Sequence, residues 1–337
     1  KEIMQYLISA IDPIKNSGGN KAKKDIDFFA SQLNDTGVIH VKIYYTRLQR
    51  YLLTRLSIIR LVKTHPADRY ILQFPISTPY VLRQFIEVIH KYTNAKIDLF
   101  IHDLPALQLS MEDKERELVL FNQVDNLIVH NQAMKKWLTD NDVQTNMIEL
   151  GLFDYDNEQP MQKKQEYDPA NFTICFPGNL AKSTFLTKVN LSYRLNIYGP
   201  NKLDSYPEGI RYCGQYTPEE LPKHLTEDFG LIWDGNSIET CSGTFGEYLK
   251  YNNPHKTSLY LSTGIPVIIW DQAALAPLIK ESGAGICISS LTELDNVLLS
   301  LTNEQYQLMK RNAEKLGKKL REGYYTKHAL TKLNMNE

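Results

Sequence analysis

Short apolar runs alternate with longer polar or amphipathic stretches almost from end to end of this chain, and that alternation restricts its fold more than any other feature. In the first half the strand candidates are 5–11, 38–44, 70–73, 96–101 and 126–129, with helix candidates at 21–33, 77–93 and 133–139. The series restarts at 172–176 and continues through 194–198, 211–212, 230–233, 267–269 and 285–288. Strand–helix alternation predicts parallel sheets covered by helices on both faces. Two such series predict an α/β protein of two doubly wound domains. The polar, proline-bearing stretch 154–171 is the best linker between them. The expected organisation is a first Rossmann-like domain at 1–155, a linker at 156–170, a second Rossmann-like domain at 171–305 and C-terminal helices at 306–337. Those helices, rich in Lys and Arg, are expected to pack back on the first domain or on another subunit.

Composition narrows the function classes. A chain of 337 residues exceeds what one core usually serves. Its 38 basic and 39 acidic residues leave a net charge of −1, which gives no bulk attraction for nucleic acid. Four scattered cysteines (Cys175, Cys213, Cys241, Cys287) form no CxxC pair and read as small buried hydrophobes in a reducing compartment. No run approaches the length of a membrane span and no signal peptide is evident, so a cytoplasmic protein without a transmembrane segment is expected. Ser-His-Asp, HExxH and Walker patterns are absent from the sequence, which disfavours hydrolase, zinc protease and P-loop readings.

Ligands of doubly wound sheets sit beyond the carboxyl ends of strands, where the strand order reverses. Two such domains facing each other would form a cleft with one ligand on each wall, a geometry suited to group transfer. The segment Asn252-Asn253-Pro254-His255-Lys256-Thr257-Ser258-Leu259 reads as a polar loop opening a helix before the Gly264-Ile265-Pro266 break. A helix start offers N–H groups and a positive dipole end, and Lys256 adds a full charge, so the segment suits a diphosphate. Thr257 and Ser258 can cap that helix or donate to phosphate oxygens. The structural alternative for Lys256 is a solvated lysine in an unfavourable place beside the dipole. Asp234 closes a buried strand and can bond a sugar or merely shape a turn with Gly235. Tyr216 precedes a marked helix start (Thr217, Pro218, Glu220) and can stack on a base or staple onto Leu221. In the first half, Gly18 and Gly19 would let backbone approach a ligand, with Asn20 capping a helix from Lys21. His102 and Asp103 follow a strand at its carboxyl end, where either can serve as base for an acceptor hydroxyl or simply close a turn.

Several of these segments resemble a known family. Ser17-Gly18-Gly19-Asn20-Lys21-Ala22, Leu99-Phe100-Ile101-His102-Asp103, Phe176-Pro177-Gly178-Asn179, Pro254-His255-Lys256-Thr257-Ser258 with Gly264-Ile265-Pro266-Val267, and Arg321-Glu322-Gly323-Tyr324-Tyr325-Thr326 stand in a matching order. The chain is similar to GT-B glycosyltransferases, and more narrowly to glucosyltransferases that extend O-linked N-acetylglucosamine on serine-rich-repeat adhesins. Some relatives of that family are labelled galactofuranosyltransferases. The resemblance implies a GT-B fold, a nucleotide-sugar donor (usually a UDP-sugar), no obligatory metal or other cofactor, and an oligomer built partly through the C-terminal helices, plausibly a tetramer.

It also implies a basic residue near Lys182 that reaches the donor phosphates together with Asn179. Here Lys would supply a point charge without the fork of an arginine. The donor set is therefore Asn179, Lys182, Tyr216, Asp234 and the segment Asn253, Pro254, His255, Lys256, Thr257, Ser258 and Leu259. Gly18, Gly19, Asn20 and Lys21 form the acceptor or sugar set, with His102, Asp103 and Lys256 as the catalytic candidates. The nearest approach to an Asp-x-Asp metal loop is Asp140-Asn141-Asp142, ahead of a strand-like segment. Leu308, Ala313, Leu316 and Leu320 make a partly apolar stripe in the tail.

The function expected is transfer of a hexose, glucose first, from a UDP-sugar to N-acetylglucosamine on a serine-rich-repeat glycoprotein. Galactofuranosyl or other hexosyl transfer in capsular or cell-surface polysaccharide synthesis is the alternative, as is a catalytically silent partner subunit. A Rossmann epimerase or dehydrogenase is disfavoured, because no glycine fingerprint follows the first strand.

Overall fold

Strands covered on both faces are mostly apolar, and Arg69–Phe74, Asn126–Val129 and Val267–Trp270 are buried at every position, with Arg69, Gln73 and Asn126 as the polar exceptions. In the computed structural model, which describes residues 4–10, 18–42, 44–107, 111–163 and 166–335, the chain divides into two units. The first comprises residues 1–151 and 323–337, and the second comprises residues 152–322. Each contains one six-stranded parallel sheet.

In the first unit the strands are β1 (Gln5–Ser9), β2 (Thr36–His40), β3 (Arg69–Phe74), β4 (Lys96–Ile101), β5 (Asn126–Val129) and β6 (Asn146–Glu149). They are joined by α1 (Gly18–Ala30), α2 (Arg47–Thr64), α3 (Pro79–Tyr92), α4 (Met111–Phe121) and α5 (Gln132–Asp140). The order β2-β1-β3-β4-β5-β6 reverses direction beside β1. Ser9 ends β1 at that point and Phe74 ends its neighbour β3.

In the second unit β7 (Thr173–Pro177), β8 (Arg194–Tyr198) and β9 (Ile210–Tyr212) run to one side. After them come β10 (Phe229–Ile232), α6 (Gly243–Tyr248), α7 (His255–Thr263), β11 (Val267–Trp270), α8 (Ala276–Ser282), β12 (Gly285–Ile288) and α9 (Leu294–Leu299). The order β12-β11-β10-β7-β8-β9 reverses between β10 and β7. Helix α10 (Asn303–Arg321) completes this unit, and α11 (Tyr324–Met335) belongs to the first.

Several expectations are adjusted. The strand expected over 38–44 ends at His40, and residue 43 lies outside the described residues, as do Ile11 of the first expected strand and Ser17 of the glycine loop. Helix α2 and strand β6 were not anticipated. Apolar residues surround α2 without one clear stripe, and β6 is an edge strand with only Met147 and Ile148 buried. Asn20 is not a cap, because α1 already begins at Gly18.

The tail divides between the units. Thr302 caps α10 with a reciprocal box to Gln305, and its buried face is Tyr306, Lys310, Ala313, Gly317 and Leu320. Leu308 of the expected stripe is instead exposed. Lys310 is buried and donates to the Gly264 carbonyl at 3.1 Å, which fixes α10 to the end of α7. Gly323 then breaks the helical run with φ +71°, and a Cβ there would lie 2.3 Å from the Phe29 ring. Helix α11 packs on α1 and β6. Its Leu333 carbonyl accepts from Arg69 at 2.9 Å, while Arg69 is paired with Asp98, both fully buried. Asn126 donates to the other oxygen of Asp98 at 2.7 Å, so this charged cluster is hydrogen-bonded as burial demands. Among the described residues no helix is long and apolar enough to cross a membrane.

Close packing of α10 on α7 gives a test. A Cβ at Gly317 would lie 2.1 Å from the Leu261 carbonyl oxygen. Gly317→Ala should therefore lower stability by about 1–3 kcal/mol, overriding the gain of up to about 1 kcal/mol that alanine brings to a helix. Urea unfolding measures it, and a more stable variant would show that α10 does not pack on Leu261.

Candidate functional site

The second unit gathers charge at its strand reversal. Strand β7 runs into Gly178-Asn179, and Asn179 caps the short 3-10 turn Leu180–Lys182 by accepting from the Ala181 amide at 3.2 Å. Asn201 donates to the same Asn179 oxygen at 2.9 Å. Across the reversal, Asp234 follows β10. Helix α7 opens at His255 after Pro254, so Lys256 is its second residue. The Lys256 ammonium lies 3.5 Å from an Asp234 oxygen, with both side chains about one-fifth exposed (21 % and 22 %). It also sits 4.4 Å from the centre of the Phe176 ring, and a Cβ on Gly178 would be 3.9 Å from it. The Lys182 ammonium lies 4.2 Å from the centre of the Phe245 ring. Burial pushes the Asp234 carboxyl up from its ordinary value, opposed by Lys256 and then Lys182.

Asn179, Lys182, Asp234 and Lys256 thus converge on one sheet end. Lys256 is not the freely solvated lysine that its polar surroundings in sequence suggested. It is held between a carboxylate and a ring.

The rest of the α7 segment faces inward. Thr257, Ser258 and Leu259 are buried and none caps the helix, which shows no side-chain cap. Ser258 donates to the Phe153 carbonyl with a spacing of 2.5 Å. Asn253 is also buried. The His255 ring lies 4.9 Å from that of Tyr155 and meets Phe153 edge-on at 6.1 Å. Every residue from Thr257 to Thr263 is buried, so the core begins within the first turn of the helix. Tyr216 stacks on His224 at 3.6 Å and 11°. The helix expected after Thr217 is only a 3-10 turn, Leu221–Lys223.

In the first unit the glycine loop and the His-Asp pair fall near the β1–β3 reversal. A Cβ built at Gly19 would meet nothing within 4 Å. Lys21 is buried and paired with Asp25 one turn on, so its ammonium is engaged within α1. His102 bonds Gln73 at 2.5 Å and stacks on Phe100 at 5.4 Å, whereas Asp103 is exposed. Gln73 in turn donates to Asp27 at 2.6 Å and to Ser9. Asp27 also accepts from Ser9 and bonds His40 at 2.9 Å.

Sequence reading missed this network. Burial raises the Asp27 carboxyl against the opposing bonds from Ser9, His40 and Gln73. Lys23 donates to the Pro75 carbonyl at 2.6 Å, and burial lowers it to about 8 against the pull of Asp103 and Asp27. The available signal was spacing: Asn20, Lys23 and Asp27 recur at helical intervals on one face of α1. Nearby, Glu117 lines a cavity of about 390 Å³ with Phe74, Ser77, Arg83 and Arg116. It accepts from the Ala106 amide at 2.9 Å, and burial raises it to about 7.

With this geometry in hand, comparison with known proteins is specific. Residues 4–152 match the model of the Glucosyltransferase 3-like N-terminal domain, and residues 174–333 match that of the C-terminal domain. A beta-1,6-galactofuranosyltransferase, WbbI, of Escherichia coli (strain K12) is 31% identical over 330 residues, spanning 96% of this chain and 97% of its own length. Glucosyltransferase 3 of Streptococcus gordonii is 30% identical over 244 residues, covering 71% of each chain. Among solved structures, a sucrose-phosphate synthase from Thermosynechococcus elongatus superposes with a TM-score of 0.68 at 10% identity, covering 99% of this chain and 98% of its own. The lipopolysaccharide outer core galactosyltransferase WaaB gives a TM-score of 0.64 at 10% identity, covering 99% of this chain and 98% of its own. The fold is that of the two-domain GT-B glycosyltransferases.

The Glu117 carboxyl yields a pH test. Its native value lies above its ordinary 4.5, so the folded state holds the proton more tightly than the unfolded chain. Its contribution to stability is full below about 4.5 and is lost as pH rises through about 7. Glu117→Gln mimics the protonated acid and keeps an acceptor for Ala106. Its stability relative to the parent should rise between about pH 5 and pH 8, by at most about 3 kcal/mol. Urea midpoints at the two pH values measure this, and a constant difference would mean that Glu117 titrates as an ordinary glutamate.

Proposed function

We infer the reaction from one premise: the chain belongs to the Glucosyltransferase 3-like family and is a glycosyltransferase. In this reading it moves a hexose, glucose first, from a UDP-sugar to N-acetylglucosamine on a glycoprotein or to a related glycan acceptor. The observation that carries the donor assignment is the convergence of Lys256, Lys182 and Asn179 at the reversal between β10 and β7. A diphosphate there meets two ammonium groups and the positive end of α7.

In the donor-free state Asp234 occupies Lys256. On binding, the diphosphate takes over the ammonium, and Asp234 is left to accept from sugar hydroxyls. As transfer proceeds, the bond from the anomeric carbon to the phosphate oxygen breaks and its electron pair leaves with UDP. Lys256 and Lys182 stabilise that growing charge. The acceptor oxygen bonds the anomeric carbon, and its proton goes to a base, for which His102 and Asp103 of the first unit are the candidates. Gly18, Gly19 and Asn20 contribute to the acceptor or sugar side. Lys21 serves there by positioning α1, since Asp25 holds its ammonium. Tyr216, already stacked on His224, offers one ring face to the base.

A second reading, galactofuranosyl or other hexosyl transfer into a cell-surface polysaccharide, is favoured by the near full-length match to the Escherichia coli relative. A screen of UDP-sugars by UDP release, with N-acetylglucosaminyl peptide and glycan acceptors, separates the two. The protein is further proposed to act in the cytoplasm as a homo-oligomer, plausibly a tetramer. Sedimentation showing only monomer at micromolar concentration would count against that.

Two predictions test the donor site. Lys256→Ala should weaken UDP binding roughly tenfold to a hundredfold, the worth of one charge-assisted contact. Turnover should fall further, while stability changes by no more than about 1 kcal/mol for a partly exposed pair. Calorimetry and melting measured side by side decide it, and unchanged UDP affinity places the phosphate site elsewhere. The second concerns metal: with lysines and a helix end meeting the diphosphate, activity should persist in excess EDTA. Loss of activity that manganese restores would overturn it.

A further inference from the structure

Helix α2 of the first unit carries a surface that the transfer chemistry does not use. Its first seven residues, Arg47 to Leu53, include none that is buried, and the face it turns to the unit begins at Thr54 and continues through Ile58, Leu61 and Val62. On the opposite side Leu48, Leu52 and Leu56 recur every fourth residue and are 68 %, 54 % and 65 % exposed. Tyr51 beside them is 69 % exposed. Scattered single leucines on a surface need no explanation, but a contiguous row of them does.

The charge pattern identifies what would cover that row. Helix α2 holds five basic residues (Arg47, Arg50, Arg55, Arg60, Lys63) and no acidic one. Arg55 is answered within the protein by Glu87 at 2.9 Å, and Arg50 donates to the Tyr44 and Tyr45 carbonyls at 3.2 and 3.1 Å. Arg47 and Arg50, with Leu48, Tyr51 and Tyr80, line an open groove of about 680 Å³ at the helix start. Tyr51 and Tyr80 stack there at 6.3 Å. Exposed leucines and tyrosine among arginines match a surface of acyl chains beneath anionic headgroups. A second copy of the same face would set arginine against arginine, with no acid on the helix to relieve it.

We propose that α2 is a membrane-surface helix that seats this enzyme on anionic phospholipid, with Leu48, Leu52, Leu56 and Tyr51 entering the interface and Arg47, Arg60 and Lys63 meeting lipid phosphates. The chain lies on the bilayer by this helix without crossing it. The inference is independent of which sugar is transferred.

Flotation of the full chain with lipid vesicles tests it. The protein should float with vesicles containing phosphatidylglycerol, stay behind with pure phosphatidylcholine, and release as salt rises. Leu52→Ser with Leu56→Ser should weaken partitioning roughly tenfold per position. Arg47→Ala with Arg60→Ala should weaken it about fivefold per arginine. All four side chains are exposed, so melting temperature and UDP affinity should match the parent, confirming that the variants are folded. No flotation, equal flotation with neutral vesicles, or variants that float like the parent would each overturn the proposal. Conversion of an oligomer to monomers by the leucine variant, without vesicle binding by the parent, would make the face a contact between copies instead.

Discussion

The first turn of α7 is the point on which the proposed donor site depends. Seven of its residues, Thr257–Thr263, are buried, and only His255 and Lys256 at its start are less enclosed. Ser258 ties the helix to the Phe153 carbonyl, and Lys310 and Gly317 of α10 hold it from behind. A lysine on so constrained a helix cannot wander. Its ammonium is placed over Phe176 and against Asp234 before any anion arrives, which reduces the ordering cost of binding. The same anchoring explains why Thr257 and Ser258 contribute packing rather than capping.

The first unit solves a different problem with similar means. Its strand reversal brings Ser9, Asp27, Gln73 and His102 into one hydrogen-bonded chain that includes a buried carboxyl. Burial raises Asp27 and lowers Lys23, so both groups are moved toward neutrality by the same desolvation. Each carries partners that partly restore its charge. It is on this buried, hydrogen-bonded chain that the acceptor-side role proposed for the first unit rests.

Both units place their candidate residues at the carboxyl ends of parallel strands, while the exposed leucines and the arginines of α2 belong to a helix outside those candidate sets. The proposed donor, acceptor and surface-attachment roles thus fall to separate elements. In a transferase this separation lets each evolve without disturbing the packed sheets beneath.

Much of this was legible in the residues. Period and spacing determined the two parallel sheets, because strands buried on both faces are mostly apolar: 267–269 is apolar throughout, 70–73 up to Gln73, and 96–101 apart from Lys96 and Asp98, the latter paired with Arg69. The polar break before Leu259 marked the start of α7 and singled out Lys256. Edge strand β6 and the unpatterned α2 escaped, since four half-buried residues or leucines on every side give no period to read. Only the tertiary structure could decide partners. Asp234 and Lys256 stand 22 positions apart and meet because α7 returns beside β10. Gln73 links His102 to Asp27 because β3 lies between β1 and β4. The division of the tail at Gly323 likewise depends on the Phe29 ring, which leaves no room for a side chain there. Local sequence sets which elements form. Which charges and hydroxyls share one site is set by strand order, which arises from contacts distant in the chain.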